Sequence, residues 1–177
     1  MLNVFKSKYA FAVVCLATGL VILAGGPVGF AADVRTVLMS DACDPESFNE
    51  ELGAGTCVRT GGVSFDTFIS VLQNAHRIGS WHFSPMKVQL RAGQAFQAKN
   101  RGGEVHTFTE VDEFGGGIVE ELNALSGNPE PAPECLTLGR DDFVAPGATT
   151  EAEVEPRGVH HYQCCIHPWM RADVVVR

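Results

Sequence analysis

The sequence predicts an all-β fold, an antiparallel sandwich or barrel of short strands preceded by a helical extension. Three observations carry this reading. From Trp81 onward, short stretches of alternating polarity are separated by turn signals at Ala92-Gly93 and Asn100-Arg101-Gly102-Gly103. Upstream, Phe65, Phe68, Ile69, Leu72 and Ala75 recur at helical spacing and form one apolar stripe. A length of 177 residues fits one domain plus a processed leader.

The leader is residues 1–32. Lys6 and Lys8 precede an apolar run from Tyr9 to Ala24, and small residues at Gly25, Gly26, Gly29, Ala31 and Ala32 follow. That layout predicts a secretory signal peptide cleaved near Ala31 or Ala32, and the run is short for a spanning helix. A retained anchor stays open as the alternative. Residues 33–80 read as a helical, loop-rich extension packed on the core. Asp44-Pro45 would cap a helix through Leu52, ended by Gly53 and Gly55, and Ser64 would cap a second.

Residues 81–177 read as the β-sandwich. The expected strands are 86–90, 95–99, 105–111, 143–144, 151–155, 159–164 and 172–176. Residues 112–140 form a long Gly- and Pro-rich loop, with Gly115-Gly116-Gly117, prolines at 129, 131 and 133, and a helical turn around Ile118–Leu125.

Formal net charge is −8. Residues 1–32 hold two Lys and no acid, so the mature chain has 11 basic and 21 acidic residues, a net charge of 11 − 21 = −10. Such a surface disfavours nucleic acid and anionic lipid and suits a basic protein partner. Cleavage would leave no membrane attachment, and a periplasmic or secreted monomer is expected.

Five cysteines remain after cleavage: Cys43, Cys57, Cys135, Cys164 and Cys165. Export puts them where disulfides persist, and an odd count leaves at least one thiol unpaired. A bound metal would use such a thiol as thiolate.

The most informative segment is His161-Tyr162-Gln163-Cys164-Cys165-Ile166-His167-Pro168-Trp169-Met170. Its Cys-x2-His-x2-Met spacing puts a thiolate, an imidazole and a thioether on one tight loop between two strands. With a second imidazole from elsewhere, this is the donor set of copper electron-transfer sites. Pro168 restricts the loop and biases His167 away from helical geometry. His106, entering a strand after a glycine turn, is the best candidate for the missing nitrogen. The expected metal ligands are therefore His106, Cys164, His167 and Met170. The remaining histidines get a plainer reading. His76 and His82 are expected at the surface or satisfied structurally. His160 and His161 should face opposite sides of a strand.

This C-terminal segment resembles the amicyanin and plastocyanin branch of the cupredoxins, the blue copper proteins. The loop spacing is similar to that of amicyanin, and Arg171–Val176 resembles the family's last strand. The resemblance covers roughly residues 81–177. It implies a Greek-key β-sandwich and one copper ion cycling between Cu(I) and Cu(II). His106 would be the first ligand, Cys164 the strong thiolate, His167 the imidazole at the solvent edge and Met170 the axial ligand. Redox protein partners would dock at the His167 edge. The chain departs from the small cupredoxins in its 33–80 extension and 112–140 insertion.

Only Cys164 has the family's spacing to His167, which leaves Cys165 free to pair. Disulfides Cys43–Cys57 and Cys135–Cys165 are proposed on that basis. Connectivity is not readable from sequence, and Cys135 and Cys165 staying reduced or pairing otherwise remains open.

A single-electron carrier, not an enzyme, is the expected function. Copper oxidases and nitrite reductases flank the cysteine with ligating histidines, whereas Gln163 and Cys165 flank Cys164 and no His-x-His pair occurs. The alternative is a periplasmic copper-binding or delivery protein with no electron-transfer role. The N–H groups of Thr107 and Ile166 are both expected to donate to the Cys164 sulfur.

Overall fold

The computed structural model describes residues 33–177, and the leader read at 1–32 lies outside them. Residues Ala32–Arg177 form one compact unit. No helix among the described residues is long and apolar enough to cross a membrane.

Two helices form upstream of Trp81 for local reasons. Helix α1 (Pro45–Leu52) begins where the Asp44 carboxylate accepts from the Ser47 N–H at 3.0 Å, and it stops at Gly53, whose φ of 103° suits glycine. In α2 (Phe65–Ala75), Ser64 Oγ accepts from the Thr67 N–H at 3.3 Å. His76 ends α2 in the left-handed region, at φ 58°, and its N–H donates to the Leu72 carbonyl.

The stretch 33–80 is not wholly helical, however. It contains β1 (Arg35–Ser40), the middle strand of a sheet ordered β2-β1-β4, with β2 at His82–Ser84 and β4 at Phe96–Asn100. Only Val37 and Met39 of β1 point fully inward, an alternation too short to stand out in the sequence.

A second sheet has the order β3-β9-β8-β6, from β3 (Lys87–Leu90), β9 (Arg171–Val176), β8 (Gly158–Gln163) and β6 (Thr109–Val111). A two-stranded pair joins β5 (His106–Thr107) to β7 (Phe143–Val144). The expected strand 105–111 thus splits at Phe108, its halves pairing with different strands. The expected strand 151–155 reduces to one bridge, Phe96 with Glu153.

Pairing is also not purely antiparallel. β1 runs parallel to β4, and β3 parallel to β9. Both pairs join segments distant in sequence, where the alternation of a single strand carries no information about its neighbour's direction.

One apolar core joins these sheets to the helices. Val37, Met39, Phe83, Phe96 and Ala98 meet Val88, Leu90, Tyr162, Val174 and Val176, and Phe48, Phe68 and Leu72 of α1 and α2 belong to the same cluster. The insertion contains α3 (Glu120–Leu125) and a 3-10 turn at Pro133–Thr137. It has a smaller core of its own, Val111, Ala132, Cys135 and Cys165.

Candidate metal centre

The centre sits where β8 turns into β9. Their register pairs Gln163 with Arg171, so residues 164–170 must close a tight connection. Two backbone bonds brace it: the Cys164 N–H donates to the Met170 carbonyl at 3.0 Å, and the Met170 N–H to the His167 carbonyl at 2.9 Å.

β5 delivers the distant histidine. His106 pairs with Val144 in β7, and the β6–β8 register, Thr109 with Gln163, lays Thr107 beside the cysteine. The Thr107 N–H donates to Cys164 Sγ at 3.4 Å, and the Cys165 N–H donates to Thr107 Oγ1 at 2.7 Å. The Thr107 bond to sulfur is as expected. The Ile166 N–H makes no such bond: among the described residues, Thr107 provides the one backbone donor to that sulfur.

Three donor atoms converge. The Nδ1 atoms of His106 and His167 each lie 3.8 Å from Cys164 Sγ. All three donors are within 4.8 Å of one another, close enough to share one ion. His106, Cys164 and Met170 are fully buried, and Met170 closes the same loop. Disulfides join Cys43 to Cys57 and Cys135 to Cys165, leaving Cys164 as the free thiol among the described residues. Adjacent residues on a strand end face opposite ways, so one cysteine staples the insertion while the other faces the histidines.

Two carboxylates lie behind the imidazoles, and nothing in the motif announced them. Asp41, just past β1, faces His106 Nε2 at 2.9 Å. It also accepts from the N–H groups of Gly103 at 2.9 Å and Glu104 at 3.0 Å. With Nε2 held against Asp41, His106 turns Nδ1 toward the sulfur, and Nδ1 is the atom that would bind a metal there. Glu104 accepts from Trp81 Nε1 at 2.6 Å and lies 3.7 Å from His167 Nε2. Both imidazoles therefore offer Nδ1 inward and turn Nε2 toward a carboxylate.

The electrostatics follow from this packing. Burial alone would push the Cys164 thiol up, but the hydrogen bonds and charges of His106 and His167 reverse this and hold it well below the ordinary thiol value. Burial would likewise lower His106, yet Asp41 and Cys164 raise it to about 9. Against its own burial, Asp41 is held down to about 2 by the His106 hydrogen bond and the Gly103 and Glu104 amides. For Glu104 burial prevails, and its carboxyl is pushed up.

The expected exposed edge of His167 is absent. This residue is only 2% accessible. Trp169 packs on its ring with centroids 5.5 Å apart, and Phe68 of α2 covers it edge-on at 6.4 Å. The reason is the 33–80 segment, which lays α2 and its aromatic stripe over the side of the centre that would otherwise meet solvent.

The other histidines divide. His76 Nδ1 bonds the Leu125 carbonyl, a satisfied contact. His82 departs from expectation, because its Nδ1 is buried without a hydrogen-bond partner. Both ring nitrogens of His160 face acceptors, Glu110 and the Pro156 carbonyl, and His161 pairs with Asp173.

No family model matches the chain, and no curated protein matches it. Solved structures do. A purple cupredoxin from Nitrosopumilus maritimus is 15% identical, with a TM-score of 0.45 over 81% of this chain and 99% of that one. An oxidised amicyanin variant is 12% identical, at TM-score 0.40 over 85% and 88% of the respective chains. A Cu(I) form of another amicyanin variant is 17% identical, at TM-score 0.37 over 54% and 73%. These solved structures, to which this chain is similar, are cupredoxins.

Proposed function

We propose that this chain is an exported type 1 copper protein, a single-electron carrier in which His106, Cys164, His167 and Met170 would hold one copper ion. One observation carries the reading: a fully buried, unpaired cysteine sulfur faces the Nδ1 atoms of two histidines at 3.8 Å each. Copper bound there supplies reversible exchange of one electron between Cu(I) and Cu(II).

The donor set supports this metal. A thiolate and two imidazoles with a buried thioether match copper, whereas a thioether is a poor zinc ligand. The chain's own residues do the rest. Asp41 orients His106, the Thr107 N–H stabilises the sulfur as thiolate, and the braced loop 164–170 limits how far the donors move when charge changes.

The two sheets and their shared core are compatible with a Greek-key sandwich. Two disulfides suit an oxidising compartment, and hence a periplasmic or secreted protein. Gln163 and Cys165 beside the thiolate leave no ligands for a neighbouring catalytic copper, so the protein is read as a carrier and not an enzyme. A monomer with no nucleic-acid partner fits the acidic charge.

Absorption and EPR spectra of the copper-loaded protein test this reading. The expected result is an intense visible thiolate-to-Cu(II) band with narrow hyperfine splitting, both lost in Cys164→Ser. A colourless protein that retains zinc would overturn the assignment. Rapid surrender of copper to a chelator, without a reversible potential, would favour delivery.

A further inference from the structure

With His167 covered, an electron carrier needs another way out. Trp169 is the ring that touches His167, with centroids 5.5 Å apart, and yet reaches partial exposure at the far side. There it lines an open groove of about 550 Å³, together with Arg77, Ile78, His82 and Met86. Met86 is 69% exposed, the most exposed of the large apolar side chains among the described residues. A bare thioether next to a tryptophan makes an apolar landing site that suits brief, low-area contact.

The groove's charge is opposite to that of the chain. Arg77 is its one charged lining residue, and no carboxylate lines it, although the chain holds 21 acids against 13 bases. Lys87 follows Met86 directly and is also exposed. Two ring nitrogens of the groove residues, Trp169 Nε1 and His82 Nδ1, are buried with no hydrogen-bond partner.

We propose that electrons pass through Trp169 and that this groove, not the His167 edge, is the docking surface for an acidic one-electron redox protein. The inference rests on the electron-carrier reading. One electron leaves the reduced centre and reduces the partner's one-electron acceptor, and no bond is made or broken. Surface carboxylates of the partner meet Arg77, and its apolar contact seats on Met86 and Trp169.

Hexacyanochromate(III), a redox-inert paramagnetic anion, tests the surface by NMR on the reduced copper-loaded protein. It should broaden the Trp169 indole N–H and the Ile78 and Met86 methyls, and Arg77→Glu should abolish the broadening. Oxidation by ferricyanide should slow about tenfold in Arg77→Glu and stay unchanged in Arg157→Glu, an exposed residue just before β8, at the end of that strand opposite the loop that carries Trp169. Broadening centred elsewhere, or equal slowing in both variants, would overturn the proposal while leaving the copper reading intact. Loss of the visible thiolate-to-Cu(II) band in the unaltered protein would sink both.

Discussion

The N-terminal segment with α1 and α2 and the insertion at 112–140 both carry a disulfide, and both press on the loop that holds Cys164. They are anchored by different forces. The first is fastened by aromatic packing. Phe48 stacks on Trp81 at 5.9 Å, Phe68 meets Trp81 at 4.9 Å, and all three rings belong to the main core. The second has only a small apolar cluster of its own and relies on backbone polar groups. Buried Asn123 accepts from the Gly117 N–H at 2.6 Å and donates to the Gly117 carbonyl at 2.9 Å. The Ile118 N–H then reaches the Cys165 carbonyl at 2.7 Å. Gly117 must be glycine here, since a Cβ would overlap the Cys165 carbonyl.

The difference separates two kinds of control over one site. Aromatic packing decides how dry the centre is, by covering His167. Directional hydrogen bonds decide where the loop backbone sits, by fixing the residue after Cys164.

Breaking the aromatic side should have the largest effect. Phe68→Ala removes a buried ring at 3% exposure and should cost about 3–5 kcal/mol in urea unfolding. It should also open His167 to solvent, read as faster exchange of its ring N–H. Stability within 1 kcal/mol of the parent, with no change in exchange, would show that α2 does not roof the site.

Asn123→Ala comes next. It strands a buried N–H and a buried carbonyl on Gly117, at about 2–3 kcal/mol together. Thermal unfolding should show that loss while His167 exchange stays at the parent rate, which separates placement from cover. Ser64→Ala is the gentlest change. Losing the bond to the Thr67 N–H should cost about 1 kcal/mol and fray only the first turn of α2, visible in amide exchange at 65–68.

How much was legible follows the range of each interaction. Asp44, Pro45 and Ser64 mark helix starts within three residues of where they act, and both helices form between the expected bounds. Cys164, His167 and Met170 lie on one loop, so spacing alone pointed to a shared site. His106 followed from what that loop lacked. β1 stayed hidden because two inward residues make a faint pattern. The parallel pairs β1–β4 and β3–β9 stayed hidden because pairing partners are chosen in space.

The carboxylates show the same limit more sharply. Asp41 is 65 residues from His106, and neither its neighbours nor its type marks it as the group that orients that ring. The cover over His167 was equally invisible: the α2 stripe was legible as an apolar face, but not the ring it would meet.

What the amino-acid sequence determined on its own is the donor loop, the two capped helices and the odd cysteine, because each is set by contacts a few residues apart. What only the tertiary structure decided is the setting of the site: Asp41 behind one imidazole, Glu104 beside the other, and Phe68 and Trp169 closing the edge once expected to be open. Those contacts depend on the folded path of the chain, which brings together groups that share no local signal.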